Sequence, residues 1–416
     1  MNKQARLNLR PAIPLRVETE TQSTSPCRTL RLVRKASPLA LLAMLTLLAS
    51  CSTLDAINPF SSNTNKAKTA ASLQAITSTA SVRTLWVEQI GKSGDYVFSP
   101  AIVGDSVYAA SKEGALVRID AGKVRWRIKT GQILSGGVGA NESTVVLGSP
   151  KGDLLAFAAD DGRLLWKRKA SSEILAAPVL NRDLVIVRSG DNRLAAYDLL
   201  DGSQKWLYQR SAPALSLRAS ASPILTEKYV FAGFPGGKLI AVSVQNGTPL
   251  WEGTVALPKG TTELDRVADI TSQPVIDGQS ICAVAFQGRV ACFDLNSGNL
   301  TWARALSSVS GLAIDQRYVY VSDDKGALHA LDKTSGASVW KQDKLFMRNL
   351  SAPSTIGRFI AVADAEGIIH FLNREDGAFA ARLSTDGSAI SAPLRLLEQK
   401  LIAQTRNGGV YAIGIQ

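Results

Sequence analysis

Six tryptophans, Trp126, Trp166, Trp206, Trp251, Trp302 and Trp340, each follow a glycine by four residues: Gly122, Gly162, Gly202, Gly247, Gly298 and Gly336. A repeat of this kind constrains the architecture more than any single residue can, because each copy is one small unit stacked on its neighbours. Seven copies also carry a short apolar strand led by Gly or Asn, at Gly114, Gly152, Asn192, Gly237, Gly288, Gly326 and Gly367, and an eighth ends the chain at Gly409. A Pro or Gly opens every unit, at Pro100, Gly137, Pro178, Pro223, Pro274, Gly311, Pro353 and Pro393. Both marks count eight.

The unit reads as a meander of four short strands. Glycine permits a left-handed turn, and alternating Val, Leu, Ile and Ala cover both faces of a sheet buried between neighbours. Tryptophan then fills the wedge between adjacent sheets, where a side chain of about 150–250 Å² dominates the packing. Two features predict how the ring closes. Gly377 is followed by Ala381 where Trp is expected, and the chain stops one strand after Gly409. The segment around Trp86 resembles the other tryptophan strands and supplies the missing outer strand, so both ends share one blade and no edge is left open. The expected fold is all-β: an eight-bladed β-propeller of four-stranded antiparallel blades over residues 81–416, as one domain.

The first 51 residues carry an address. Arg28, Arg31, Arg34 and Lys35 precede an uncharged apolar run that ends in Leu48-Ala49-Ser50-Cys51, too short for a stable span of about 20 residues. It reads as a secretory signal with a lipoprotein box, in which Cys51 takes a diacylglycerol, cleavage follows Ser50 and the new amino terminus is acylated. Several chains at about 0.8 kcal/mol per buried CH₂ make such an anchor effectively permanent. Ser52 rather than Asp after the cysteine points to the outer membrane. Residues 1–27 lack any apolar pattern and make an unusual prelude, which suggests a translation start further on. Residues 51–80, rich in Ser, Thr, Asn, Ala and Lys, read as a flexible tether.

The formal net charge of +12 shrinks once residues 1–50 are set aside, leaving 39 Lys and Arg against 33 Asp and Glu. The remaining excess forms no Lys/Arg run longer than three residues and matches no nucleic-acid motif, so it is read as serving solubility, with a weak attraction to anionic head groups. Cys282 and Cys292 flank a hairpin turn in an oxidising compartment and are candidates for a disulfide; the alternative is two small buried thiols. The two histidines, His329 and His370, occupy the same repeat position as Val117, Leu155 and Ile240 elsewhere and therefore read as hydrogen-bonded structural residues. No metal site, nucleophile motif or cofactor is evident, so catalysis is not expected. Asp120, Asp198, Asp294 and Asp332 recur before the turn glycine, as turn-capping carboxylates do.

Two blade-to-blade connections are enlarged, 17 residues from Trp206 to Pro223 and 23 from Trp251 to Pro274. They are consecutive, and equivalent connections emerge on the same rim, so they should be neighbours and form the binding surface. The first contains Leu215-Ser216-Leu217-Arg218, the second Glu263-Leu264-Asp265-Arg266 and Asp269. An apolar pair beside fixed charges makes a candidate hot spot. The competing view is that the leucines plug the propeller end and Arg218 pairs internally with Asp265 or Asp269.

With these two loop motifs, the lipoprotein box and eight blades of the pyrroloquinoline-quinone-like repeat type, the chain closely resembles the BamB family of outer-membrane protein assembly lipoproteins. The resemblance implies a non-catalytic propeller on the periplasmic face of the outer membrane. It further implies binding to the POTRA domains of BamA, alongside other subunits of the β-barrel assembly complex, with unfolded outer-membrane proteins as a further candidate partner. Leu215, Leu217, Arg218 and Asp269 are the implied contacts, and Asp265 and Arg266 complete the candidate rim. The chain departs from the family at Thr271, where a second acid is usual, at the shortened turn Asp120-Ala121-Gly122, and at Ala381. The rival class is a quinoprotein dehydrogenase with pyrroloquinoline quinone and Ca²⁺ in the funnel; another is an envelope lipoprotein that binds a different protein or a glycan.

Overall fold

A computed structural model describes residues 69–416 apart from Ala212. The signal, Cys51 and most of the tether therefore lie outside the described residues. The described chain forms eight sheets of four antiparallel strands each. Blades 1 to 7 span residues 101–129, 139–169, 179–209, 224–254, 275–305, 311–342 and 354–384, each running from the axis outward in chain order. The closing blade takes three strands from the C-terminal end, residues 395–415, and its outer strand from Val82–Gln89. That strand pairs antiparallel with Gly409–Ile415, and Ser81 and Gln416 exchange backbone bonds of 3.0 and 2.9 Å beyond it. The innermost strands of the last and first blades also meet, so the ring is sealed.

The Gly and Trp of the repeat turn out to join neighbouring blades as well as marking each one. Each of the six indoles donates its N–H to a backbone carbonyl of the following blade, three residues before that blade's turn glycine, at 2.7 to 3.1 Å. The glycine lies against the indole ring. At Gly247, φ is +71° and an added Cβ would stand 2.6 Å from Cε3 of Trp206, so neither the backbone nor the space admits a side chain. The turn aspartates behave as expected at Asp198, Asp294 and Asp332, which accept backbone amides within their turns. Asp120 instead binds Arg118 at 2.9 Å, because its turn has shrunk to Ala121 and Gly122, both at positive φ.

The missing tryptophan has a physical reason. A Trp at position 381 would lie against the outer hairpin of the next blade, but that blade is the closing one, where the two chain ends meet and no such hairpin exists. Residues 71–81 fill the place. Thr79 donates to the Ala380 carbonyl at 2.8 Å, and Ala80 and Val82 pack with Ala380 and Ala381. Upstream, Ala71 binds the Phe346 carbonyl at 2.9 Å, while Arg348 and Arg382 donate to the carbonyls of Ala71 and Gln74 at 3.1 and 2.5 Å. Of the expected tether over residues 51–80, residues 51–68 lie outside the described residues, and from Ala71 onward the chain is hydrogen-bonded to the ring.

The expected structural role for the histidines matches their surroundings. His370 lies fully buried between Asp364, 3.0 Å from its Nε2, and Arg382, which donates to its Nδ1 at 3.2 Å. His329 meets Asp323 at 2.9 Å in the same repeat position one blade earlier. Cys282 and Cys292 stand directly opposite on adjacent strands, with Cα atoms 4.0 Å apart and their sulfurs joined.

Candidate partner-binding rim

The connection leaving blade 3, residues 210–223, and the one leaving blade 4, residues 255–274, meet on one rim. Asp269 makes the junction: it is 1% exposed, and its two carboxylate oxygens accept the Leu217 amide at 2.6 Å and the Gly236 amide at 3.0 Å. Its own carbonyl accepts the amide of Phe286 at 2.9 Å. Buried Val267, Ala268 and Ile270 flank it and fasten the second loop into the ring. Asp269 thus faces inward and holds the backbone of Leu217 in place, so it presents no charge of its own to a partner.

Arg218 does not make the internal pairing with Asp265 or Asp269 that the competing view held. Its guanidinium forms a two-pronged contact with Glu173, at 3.0 and 2.6 Å, in the connection leaving blade 2. It also stands 5.5 Å from the centre of the Tyr96 ring, in the connection that enters blade 1. The Glu173 hydrogen bonds raise its pKa further above the ordinary arginine range. The pair is half exposed, so screening leaves it about 0–1 kcal/mol of stability, and its role is orientation. Leu217 and Arg218 wall a cleft of about 310 Å³ with Glu173, Arg188 and Pro235. Arg188 is nearly buried there, and that burial pulls its pKa down to about 10 against the opposing influence of Asp269.

The second motif is a self-capped turn. The Thr262 amide donates to the Asp265 carboxylate at 3.2 Å and the Asp265 amide donates to the Thr262 hydroxyl at 3.1 Å, the reciprocal pattern of a capping box. The Thr262 hydroxyl and amide hold the Asp265 carboxyl below the usual carboxylate range. Arg266 is fixed by Glu263 and the Gly260 carbonyl, at 3.3 and 3.2 Å. The result places Leu264 at 71% exposure, with Leu257 at 59% and Leu215 at 44%. Thr271 donates to the Val309 carbonyl at 3.0 Å and bridges to the next connection. Sequence reasoning missed Glu173, Tyr96 and Leu257. None recurs with the repeat, and only the shared rim of equivalent connections could have grouped the first two with Arg218.

Small residues, including Ser99, Ser222, Ser272, Ser310 and Gly311, line a central funnel of about 570 Å³. Among the described residues, no three His, Cys, Asp or Glu side chains stand together in a way that could hold a metal ion.

The fold is a closed eight-bladed propeller whose two enlarged connections meet on one rim and carry exposed leucines beside an ion-paired arginine. The family model described as outer membrane protein assembly factor BamB matches residues 112–342. The outer membrane protein assembly factor BamB of Burkholderia pseudomallei is 39% identical over 383 residues, covering 91% of this chain and 98% of that one. The crystal structure of BamB from Moraxella catarrhalis superposes with a TM-score of 0.75 at 28% identity, over 80% of this chain and all of that one. The quinohemoprotein alcohol dehydrogenase of Comamonas testosteroni, at a TM-score of 0.64, 12% identity and coverage of 80% and 76%, shares the fold alone. The chain belongs to the BamB family of outer membrane protein assembly factors.

Proposed function

We propose that this chain is a lipid-anchored, non-catalytic scaffold of the β-barrel assembly machinery, docking on the POTRA domains of BamA through the rim of residues 210–223 and 255–274. The observation that carries this reading is the buried Asp269 carboxylate, which clamps the Leu217 backbone and so presents Leu215, Leu217 and Arg218 on a rigid support. A pre-ordered loop loses little conformational freedom on binding, and apolar anchors beside an oriented cation suit a modest partner surface or an added strand. Docking steadies the periplasmic arms and raises the local concentration of unfolded barrels near the machinery. No bond is made or broken.

Leu217→Asp and Arg218→Glu are expected to leave the far-ultraviolet dichroism unchanged and to reduce co-purification with BamA about tenfold or more, as loss of a hot spot of about 2 kcal/mol does. Undiminished co-purification with both variants would move the docking site elsewhere. The anchor is proposed at Cys51, with residues 1–50 as prelude and signal. Labelled palmitate should enter the wild-type chain and not Cys51→Ser, whereas labelling of both would refute that assignment.

A further inference from the structure

The basic residues that look unpatterned along the sequence gather on one edge of the ring. The outer strand of blade 1, Lys123–Lys129, holds four Lys or Arg, and that of blade 2, Leu164–Lys169, holds three; neither has an acid. Each of the other six outer strands has one or none. A single cation per strand is enough to discourage edge-to-edge pairing, so the excess on two adjacent blades calls for another cause. Ion pairs occupy Arg127, Arg163, Lys167 and Lys169, at exposed sites where such pairs are weak. Lys123, Arg125 and Lys129 form none among the described residues.

Apolar groups lie between these charges. Val124, Leu164 and Leu165 are 39%, 51% and 38% exposed. Between the two strands runs an open groove of about 440 Å³, floored by Ile128, Leu155 and Phe157 and flanked by Lys129 and Lys167. Cations interleaved with shallow apolar groups match a phospholipid head-group layer, where the charges meet phosphate and the aliphatic parts reach the acyl boundary.

We propose that the outer edge of blades 1 and 2 is a membrane-docking surface for anionic phospholipid. Among the described residues, the first hydrogen bond to the ring is at Ala71, 20 residues beyond Cys51. That length of chain reaches at most about 65–70 Å, so an anchor there would leave the ring free to turn, and the basic edge would select which side lies on the bilayer. Each basic residue close to an anionic surface contributes roughly fivefold to partitioning, within a Debye length of about 8 Å at physiological salt.

The test uses the chain from Ser52 onward, made without lipid; it contains the whole sealed ring and removes the anchor from the readout. Co-sedimentation is compared between vesicles of phosphatidylcholine alone and vesicles containing phosphatidylglycerol. The expected result is binding only to the anionic vesicles, reversed by salt that shortens the Debye length to about 3 Å. Combined Lys123→Glu, Arg125→Glu and Lys129→Glu should weaken it at least about tenfold. The same charge change at exposed Lys205, Lys228 and Lys341 should leave most of the binding intact. Equal loss in both sets would reduce the effect to net charge and overturn the proposal. So would failure to bind anionic vesicles, or binding of polyglutamate in their place, which would assign the edge to an acidic protein.

Discussion

Asp364→Ala should lower the unfolding free energy of the ring by about 3–5 kcal/mol, the cost of stranding a buried charge. Asp364 is fully buried, and its carboxylate accepts Arg348 at 2.7 Å, His370 at 3.0 Å, and the amides of Glu366 and Ile368 at 2.9 Å each. Without it, Glu366, whose carboxylate is largely exposed, is the one ion-pair partner left to the buried Arg348 among the described residues, and two amides lose their acceptor. Arg348 also binds the Ala71 carbonyl, so the same substitution should loosen the N-terminal segment and expose it to proteolysis. Urea unfolding followed by dichroism gives the magnitude; a loss below about 1 kcal/mol would mean the network is not a support.

The pH profile supplies a second signature. Burial pushes the His370 pKa down, with Asp364 pulling the other way. A folded-state value below the unfolded one means that the unfolded chain binds the proton more readily. This contribution to stability is therefore complete above about pH 6.5 and is lost as pH falls through the lowered value. Burial would raise the Asp364 pKa, but the bonds from His370, the Ile368 amide and Arg348 outweigh it, so Asp364 begins to lose its contribution only below its ordinary value of 3.8. His370→Gln should flatten the stability curve below about pH 6.5.

The architecture was legible because its strongest signal is a contact between repeats. Gly and Trp must recur in register wherever one blade meets the next. Even the exception at Ala381 is informative, since the next blade is made by the chain ends and offers no hairpin glycine. The start of the ring-bound chain was not legible: Ala71, Gln74 and Thr79 bind through backbone groups, which leave no mark on composition. The basic edge escaped for a related reason. Its cations alternate along the outer strand of blade 1 and stand together at Lys167, Arg168 and Lys169 on that of blade 2, and only the radial arrangement of blades brings the two groups together.

The candidate rim was legible in location and less so in the roles of its residues. Loop length and period placed residues 210–223 beside residues 255–274, and the hydrogen bond from Leu217 to Asp269 joins them. The sequence could not show that Asp269 turns inward, because a carboxylate that accepts two amides looks the same in sequence as one that faces solvent. Nor could it pair Arg218 with Glu173, 45 residues away in the neighbouring connection.

Trp206→Ala should cost about 3–5 kcal/mol, the range for removing a buried aromatic side chain from a packed core. Trp206 is 7% exposed, packs with Val230 and Ile240 of blade 4, and donates to the Val244 carbonyl at 2.7 Å. Gly247 closes over its ring. Trp206→Phe keeps much of the apolar area but leaves that carbonyl without its donor, a loss of about 1–3 kcal/mol. The order wild type, Phe, Ala in a thermal melt would therefore separate packing from hydrogen bonding. This seam lies directly before residues 210–223, so Trp206→Ala should also weaken co-purification with BamA at temperatures where the ring remains folded. Leu217→Asp should weaken it without shifting the melt. If Trp206→Ala melts like the wild type, the indoles are not what holds adjacent blades together, and the rim does not depend on the seam beneath it.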